Sequence, residues 1–165
     1  MSSAVSTSGG KLRVLMVCLG NICRSPTAEA MLRKKVHEAG LDDRIEVDSA
    51  GTADYHVDSP PDRRAIAHGE RRGLAMQQLR GRQVERADFE RFDVILAMDE
   101  DNLADLKRLR PPDSRAKLAL LMSYAPRAGS RVVPDPYYGG ADGFETVLDL
   151  TAAAADGFVE SVGRG

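Results

Sequence analysis

Apolar residues along this chain fall into short unbroken runs separated by stretches of helical spacing. Lys11 to Val17 is apolar and β-favouring, which predicts a strand buried on both faces. After it, Pro26 suits a first helical turn, and Ala28, Met31, Leu32 and Val36 recur at helical spacing until Gly40. Arg44 to Ala50 predicts a second strand, followed by a loop from Gly51 to Pro61. Pro61 to Arg72 reads as a helix stopped by Gly73, and Val84 to Phe92 as a short helix or helical turn. Asp93 to Met98 is a compact apolar strand, and Asp99 caps a helix running to about Leu109 before Pro111-Pro112. Lys117 to Met122 is a further strand. The stretch from Ser123 to Gly143 is loop-like, and Phe144 to Val162 closes the chain as a helix.

Strands alternating with helices predict an α/β fold: a central four-stranded parallel sheet flanked by helices, joined by right-handed crossovers. Ligands bind such sheets at the carboxyl ends of the strands, where the loop after Val17 lies. With 165 residues and 42% hydrophobic content, the chain makes one core rather than two. The expected division is a disordered polar tail over 1–10 and a single domain over 11–165. The tail has no apolar h-region, and no apolar run is long enough to span a bilayer. A net charge of −2 gives no reason to expect nucleic acid or an anionic membrane as a partner. Two cysteines, Cys18 and Cys23, do not frame a disulfide-rich secreted fold. A cytoplasmic monomer is the expectation.

The chemistry concentrates in Cys18-Leu19-Gly20-Asn21-Ile22-Cys23-Arg24-Ser25. A cysteine at a strand end, a short loop and an arginine opening a helix make a site for a tetrahedral oxyanion. Backbone N–H groups and the helix dipole favour the anion, and Arg24 offers a planar fork for two of its oxygens. A thiolate at Cys18 is stabilised in the same cradle. Gly20 is expected to take an unusual backbone angle that turns N–H groups inward. Ser25 either caps the helix or donates its hydroxyl to Cys18, and Asn21 braces the loop through its side chain. Cys23 is either a small packing residue or a second thiol that rescues an oxidised Cys18 as a disulfide. His37, His56 and His68 lack ligand spacing and read as surface or loop residues. Asp99, Glu100 and Asp101 read as helix capping, and the arginines at 63, 64, 71, 72, 80 and 82 as mostly a solvated face.

This segment resembles the phosphate-binding loop of the low-molecular-weight protein tyrosine phosphatases. The likeness extends to Asp48-Ser49-Ala50-Gly51-Thr52, Ser59-Pro60-Pro61-Asp62-Arg63-Arg64-Ala65, Phe92-Asp93-Val94-Ile95-Leu96-Ala97-Met98-Asp99 and Asp135-Pro136-Tyr137-Tyr138-Gly139. The blocks run in the family's order from about Lys11 to the final helix. The resemblance implies hydrolysis of phosphotyrosine through a phosphocysteine, with no cofactor and no metal. It assigns Cys18 as nucleophile, Arg24 to the transition state and Asp135 as the acid that becomes the base. Taken alone, an Asp-Pro is simply a turn. Leu19, Gly20, Asn21, Ile22, Cys23 and Ser25 form the phosphate loop, while Tyr55, Tyr137 and Tyr138 wall the pocket. Tyr137 and Tyr138 also have a plain reading as anchors of their loop. Asp58 stands where relatives usually carry glycine. The implied partners are phosphotyrosine-bearing proteins, a bacterial tyrosine kinase among them.

Four other readings stand beside this one. A thiol-relay arsenate reductase needs cysteines late in the chain, and there are none. A protein arginine phosphatase resembles the same architecture but carries threonine at the position of Ile22. A phosphate-binding or redox-sensing module would have no use for an acid at Asp135. A Walker-type nucleotide site is ruled out because no Gly-Lys-Ser/Thr follows the loop.

Overall fold

The structure is a computed structural model that describes residues 10–136 and 141–163. Its centre is β1 (Leu12–Cys18), whose residues Val14 to Cys18 are all buried. This strand pairs in parallel with β2 (Ile45–Gly51) on one side and with β3 (Val94–Ala97) on the other. Strand β4 (Lys117–Leu120) pairs with β3 at the edge, giving the order β2-β1-β3-β4. The chain therefore reverses its direction of sheet-building between β1 and β3, and the crevice at their carboxyl ends is where such sheets hold ligands. Cys18 is the last residue of β1 and sits at that crevice.

Alternation along β1 sends Val14, Met16 and Cys18 to one face and Leu15 and Val17 to the other. The first face packs against α1 (Arg24–Glu38), α2 (Arg63–Glu70) and α5 (Ala141–Gly163), through Met31, Leu32, Ala65, Val147 and Phe158. The second packs against α3 (Asp88–Arg91) and α4 (Glu100–Leu109), through Phe89 and Leu106. Two covered faces explain why β1 and β3 read as continuous apolar runs.

The four-stranded parallel sheet and its order of elements match the sequence expectation; several boundaries do not. Helix α2 begins at Arg63 because the Asp62 carboxylate accepts the Arg64 N–H at 2.8 Å and caps it. The expected helix from Val84 is reduced to Asp88–Arg91. Residues before it run extended beside the end of β2, with Gly51 N–H donating to Arg82 O and Val84 N–H to Gly51 O. The strand expected to reach Met122 stops at Leu120 and becomes a 3-10 turn over Leu121–Tyr124. Leu121 and Met122 are both buried in one cluster with α5, and adjacent residues of a strand would face opposite ways. Helix α5 starts at Ala141, three residues before Phe144. His68 is not a surface or loop residue. It lies half-buried on α2, stacked on Phe144 and hydrogen-bonded to Glu145 at 2.5 Å.

One close approach fixes α5 against the sheet edge. A Cβ added at Gly157 would lie 1.8 Å from the backbone oxygen of Tyr124, whose ring meets Phe158 edge-on at 5.0 Å. Gly157→Ala is expected to lower stability by about 3 kcal/mol, the upper end for overpacking. The shift of the urea unfolding midpoint checks it. An unchanged midpoint would show that the turn yields freely.

Candidate active site

The loop after β1 is held by backbone bonds to the segment that follows β2. Thr52 N–H donates to Cys18 O at 2.9 Å and Ala53 N–H to Leu19 O at 3.0 Å. Helix α1 then begins at Arg24, with Cys23 at the N-cap position and no side-chain cap. Ser25 is therefore inside the helix and not its cap. Its hydroxyl faces Cys18 Sγ at 3.0 Å, and the Asn21 N–H donates to the same sulfur at 3.3 Å. The remaining N–H groups from Leu19 to Cys23 are not taken up by backbone carbonyls of the described residues. Together with the first N–H groups of α1 they form an anion-binding concavity.

The unusual backbone angle belongs to Asn21, with φ of 58°, and not to Gly20. Asparagine tolerates this region, and its side chain compensates here for the strain. Nδ2 donates to Ser25 Oγ at 2.8 Å and to Ser49 Oγ at 3.0 Å, while Oδ1 accepts the Arg82 N–H at 3.0 Å. Gly20 instead provides room, since a Cβ there would stand 3.0 Å from the His56 ring. Arg82 is not part of a solvated face: its guanidinium bridges Asp48 and the fully buried Asp88 at 3.0–3.3 Å.

Arg24 is 3% exposed, an unusual place for a guanidinium unless its charge is met. Nη1 donates to Asp99 Oδ2 at 2.6 Å and to Val133 O at 3.1 Å, and Nη2 stands 3.8 Å from Asp135 Oδ2. Burial works against its charge, but Cys18 and the bonded Asp99 hold its pKa above the ordinary arginine value. Asp99 also caps α4, taking the Asn102 N–H on its other oxygen at 2.8 Å. The capping expectation holds, and a second role comes with it. Asp135 is placed by Val133, whose N–H donates to Met98 O at 2.7 Å at the end of β3.

Cys18, Leu19, Gly20, Ile22, Cys23, Arg24, Tyr55, His56 and Asp135 line one cavity of about 240 Å³. Tyr55 is 70% exposed at its rim. His56, expected only as a loop residue, is part of the wall, while His37 is exposed and pairs with Asp42. Tyr137 and Tyr138 lie outside the described residues. Both cysteines are buried free thiols. Burial, then the charges of Asp62, Cys18 and Asp135, push the Cys23 thiol up to about 12. Among the described residues, no group of three histidine, cysteine or carboxylate side chains is placed to share a metal ion.

Of the residues predicted from sequence, the structure brings Cys18, the loop, Arg24, Ser25, Tyr55 and Asp135 together. No local pattern marks the Asp99 and Val133 contacts to Arg24, nor the buried Glu29 behind Ser49, since each partner is distant in the chain. A model of the family described as low molecular weight phosphotyrosine protein phosphatase matches residues 13–165. A low molecular weight phosphotyrosine protein phosphatase of Schizosaccharomyces pombe is 43% identical over 152 residues, 92% of this chain and 97% of that protein. A solved protein tyrosine phosphatase from Entamoeba histolytica, with Hepes in its active site, superposes with a TM-score of 0.90 at 37% identity. It covers 94% of this chain and 99% of its own. Drosophila arginine phosphatase superposes with a TM-score of 0.85 at 34% identity, covering 90% and 97%.

Proposed function

The chain belongs to the low molecular weight phosphotyrosine protein phosphatase family, and on that footing we propose which of its atoms carry out each half of the reaction. Enzymes of this family hydrolyse phosphotyrosine through a cysteine-bound intermediate, and this chain is one of them. Cys18 attacks phosphorus as a thiolate while protonated Asp135 gives its proton to the departing tyrosine oxygen. In the second half, carboxylate Asp135 takes a proton from water as that water attacks the phosphocysteine. Sulfur leaves as thiolate, met by the Ser25 hydroxyl and the Asn21 N–H. Arg24 and the unspent loop N–H groups hold the equatorial oxygens, where charge is greatest in the transition state. Asp99 and the Val133 carbonyl orient Arg24, so the fork is aimed before substrate arrives. The observation that carries this assignment is the convergence of Cys18, Arg24 and Asp135 on one cavity.

Ile22 and Tyr55 line that cavity, which suits a flat apolar ring better than a guanidinium. The likeness to an arginine phosphatase makes this choice testable. Paired phosphotyrosine and phosphoarginine peptides are expected to differ by about tenfold or more in kcat/KM, in favour of phosphotyrosine. Faster release from phosphoarginine would overturn the substrate assignment and leave the mechanism standing.

The substrates proposed are phosphotyrosine-bearing proteins, a bacterial tyrosine kinase among them, met by a cytoplasmic monomer whose residues 11–165 act as one domain. No helix of the described residues is long and apolar enough to cross a membrane. Peroxide is proposed to convert Cys18 to a sulfenic acid, which Cys23 attacks with loss of water to give a disulfide. Below about 12 the Cys23 thiol is mostly protonated, so its attacking fraction grows with pH. Disulfide formation should therefore accelerate by about tenfold per pH unit through the alkaline range. Mass spectrometry of the linked peptides reads the rate. A rate that does not change with pH would contradict Cys23 as the attacking group.

A further inference from the structure

Behind the loop lies a carboxylate with no part in the steps above. Glu29 is on α1, 2% exposed, and its Oε1 accepts the Ser49 hydroxyl at 2.6 Å. Among the described residues, the only charged partner in hydrogen-bond contact with it is Arg33, at 2.6 Å on its other oxygen and itself half exposed. From Ser49 a line of side chains continues to the nucleophile: Asn21 Nδ2 to Ser49 Oγ at 3.0 Å, Asn21 Nδ2 to Ser25 Oγ at 2.8 Å, and Ser25 Oγ to Cys18 Sγ at 3.0 Å.

We propose that Glu29 is a positioning residue for the nucleophile, acting through Ser49 and Asn21 to keep the Ser25 proton directed at the Cys18 sulfur. The reason is the count of protons along the line. A carboxylate has none to give, so the Ser49 hydroxyl must donate to it. Ser49 Oγ is then left as an acceptor, which takes one amide hydrogen of Asn21. The second amide hydrogen goes to Ser25 Oγ, because Asn21 Oδ1 is occupied by the Arg82 N–H. Ser25, already accepting, has its own proton free, and its nearest acceptor is Cys18; the alternative, Ala50 O, lies at 3.5 Å. The charge at the far end thus orients the Ser49 hydroxyl, the Arg82 N–H fixes the Asn21 amide between the two serines, and a buried, charge-assisted line of this kind holds its orientation firmly.

The charged groups facing Glu29 are Arg33 on α1, Asp48 on β2 and Arg82 from the segment after α2. Burial raises its pKa, Ser49 and Arg33 lower it, Asp48 raises it, and the net direction is upward. The ion pair with Arg33 and the donated Ser49 proton favour the charged form that the orientation requires, against the burial that opposes it.

This inference rests on Cys18 being the nucleophile, and the test reads that sulfur directly without needing turnover. The rate of iodoacetamide alkylation of Cys18 is followed against pH, with Cys18→Ser as the blank. In Glu29→Gln the neutral amide accepts more weakly and can itself donate to Ser49. The alkylation midpoint is then expected to rise by about half a pH unit, slowing the reaction about threefold on its acidic limb. The sign decides between explanations. Simple loss of a nearby negative charge would favour the thiolate and lower the midpoint. Ser49→Ala is expected to raise the midpoint as well, and adding Glu29→Gln to it to change nothing further. Thermal unfolding is recorded for each variant. A midpoint that falls, or stays put while the unfolding temperature drops, would overturn the proposal, as would equal shifts with and without Ser49. A wild-type Cys18 that alkylates no faster than Cys23 would instead overturn the assignment of the nucleophile itself.

Discussion

Cys18→Ser is expected to lower kcat on a phosphotyrosine peptide by about 10⁴ or more while leaving inorganic phosphate bound. The substitution changes one atom at the end of β1 and keeps the side-chain shape, so the loop has no reason to move. A serine hydroxyl, however, does not ionise at neutral pH, and the donors at Ser25 and Asn21 then face a neutral oxygen. Nucleophilic attack is lost. Binding depends on different groups: the unspent loop N–H groups, the start of α1 and the buried guanidinium of Arg24. These remain, and the removal of a neighbouring thiolate charge should if anything tighten phosphate. Steady-state phosphate release gives the first quantity and titration calorimetry the second. Appreciable turnover by the variant would place the nucleophile elsewhere, and loss of phosphate binding would show that the sulfur is part of the cradle's structure.

Asp135→Ala should separate substrates by their leaving groups. With a poor leaving group such as an unactivated phenol, loss of the proton donor is expected to cost about 10²–10³ in the first displacement. A nitrophenol departs without help, and the same variant should release it nearly as fast as the wild type in the first turnover. Phosphate should then follow slowly, because the carboxylate is also the base for the attacking water. The expected signature is a burst of nitrophenol followed by a slow steady state. Equal losses for good and poor leaving groups, with no burst, would remove Asp135 from the role. Its 3.8 Å approach to Arg24 would then be an ion pair and nothing more.

The parts of the fold that the sequence made legible are those governed by local pattern. Strands β1 and β3 are buried on both faces, so their apolar runs identified them, and the glycine and arginine spacing after β1 marked the loop. Ser25 beside Arg24 was readable as a donor to Cys18 because both positions follow from the same strand-loop-helix step. Tertiary polar contacts were not readable. Asp99 shows in sequence only as a helix cap, yet its second oxygen meets an arginine that is 75 residues away. Glu29 looks like any glutamate on an amphipathic helix, and only the packing of α1 against β2 reveals it as buried beneath Ser49. Arg82 likewise reads as one of many surface arginines until Asp48 and Asp88 are brought to it. General preference points to Gly20 for the unusual backbone angle, but Asn21 adopts it, since its side chain can bond three neighbours in that conformation.

The central claim is that phosphate passes through the sulfur of Cys18. The most direct measurement mixes the Asp135→Ala enzyme with a nitrophenyl phosphate, quenches in acid within the burst, and maps the protein by mass spectrometry. The account predicts one phosphoryl group on the peptide carrying Cys18, appearing with the nitrophenol burst and absent when Cys18→Ser is added. Nitrophenol and phosphate released together with no label on Cys18, or a label carried by another residue, would contradict it.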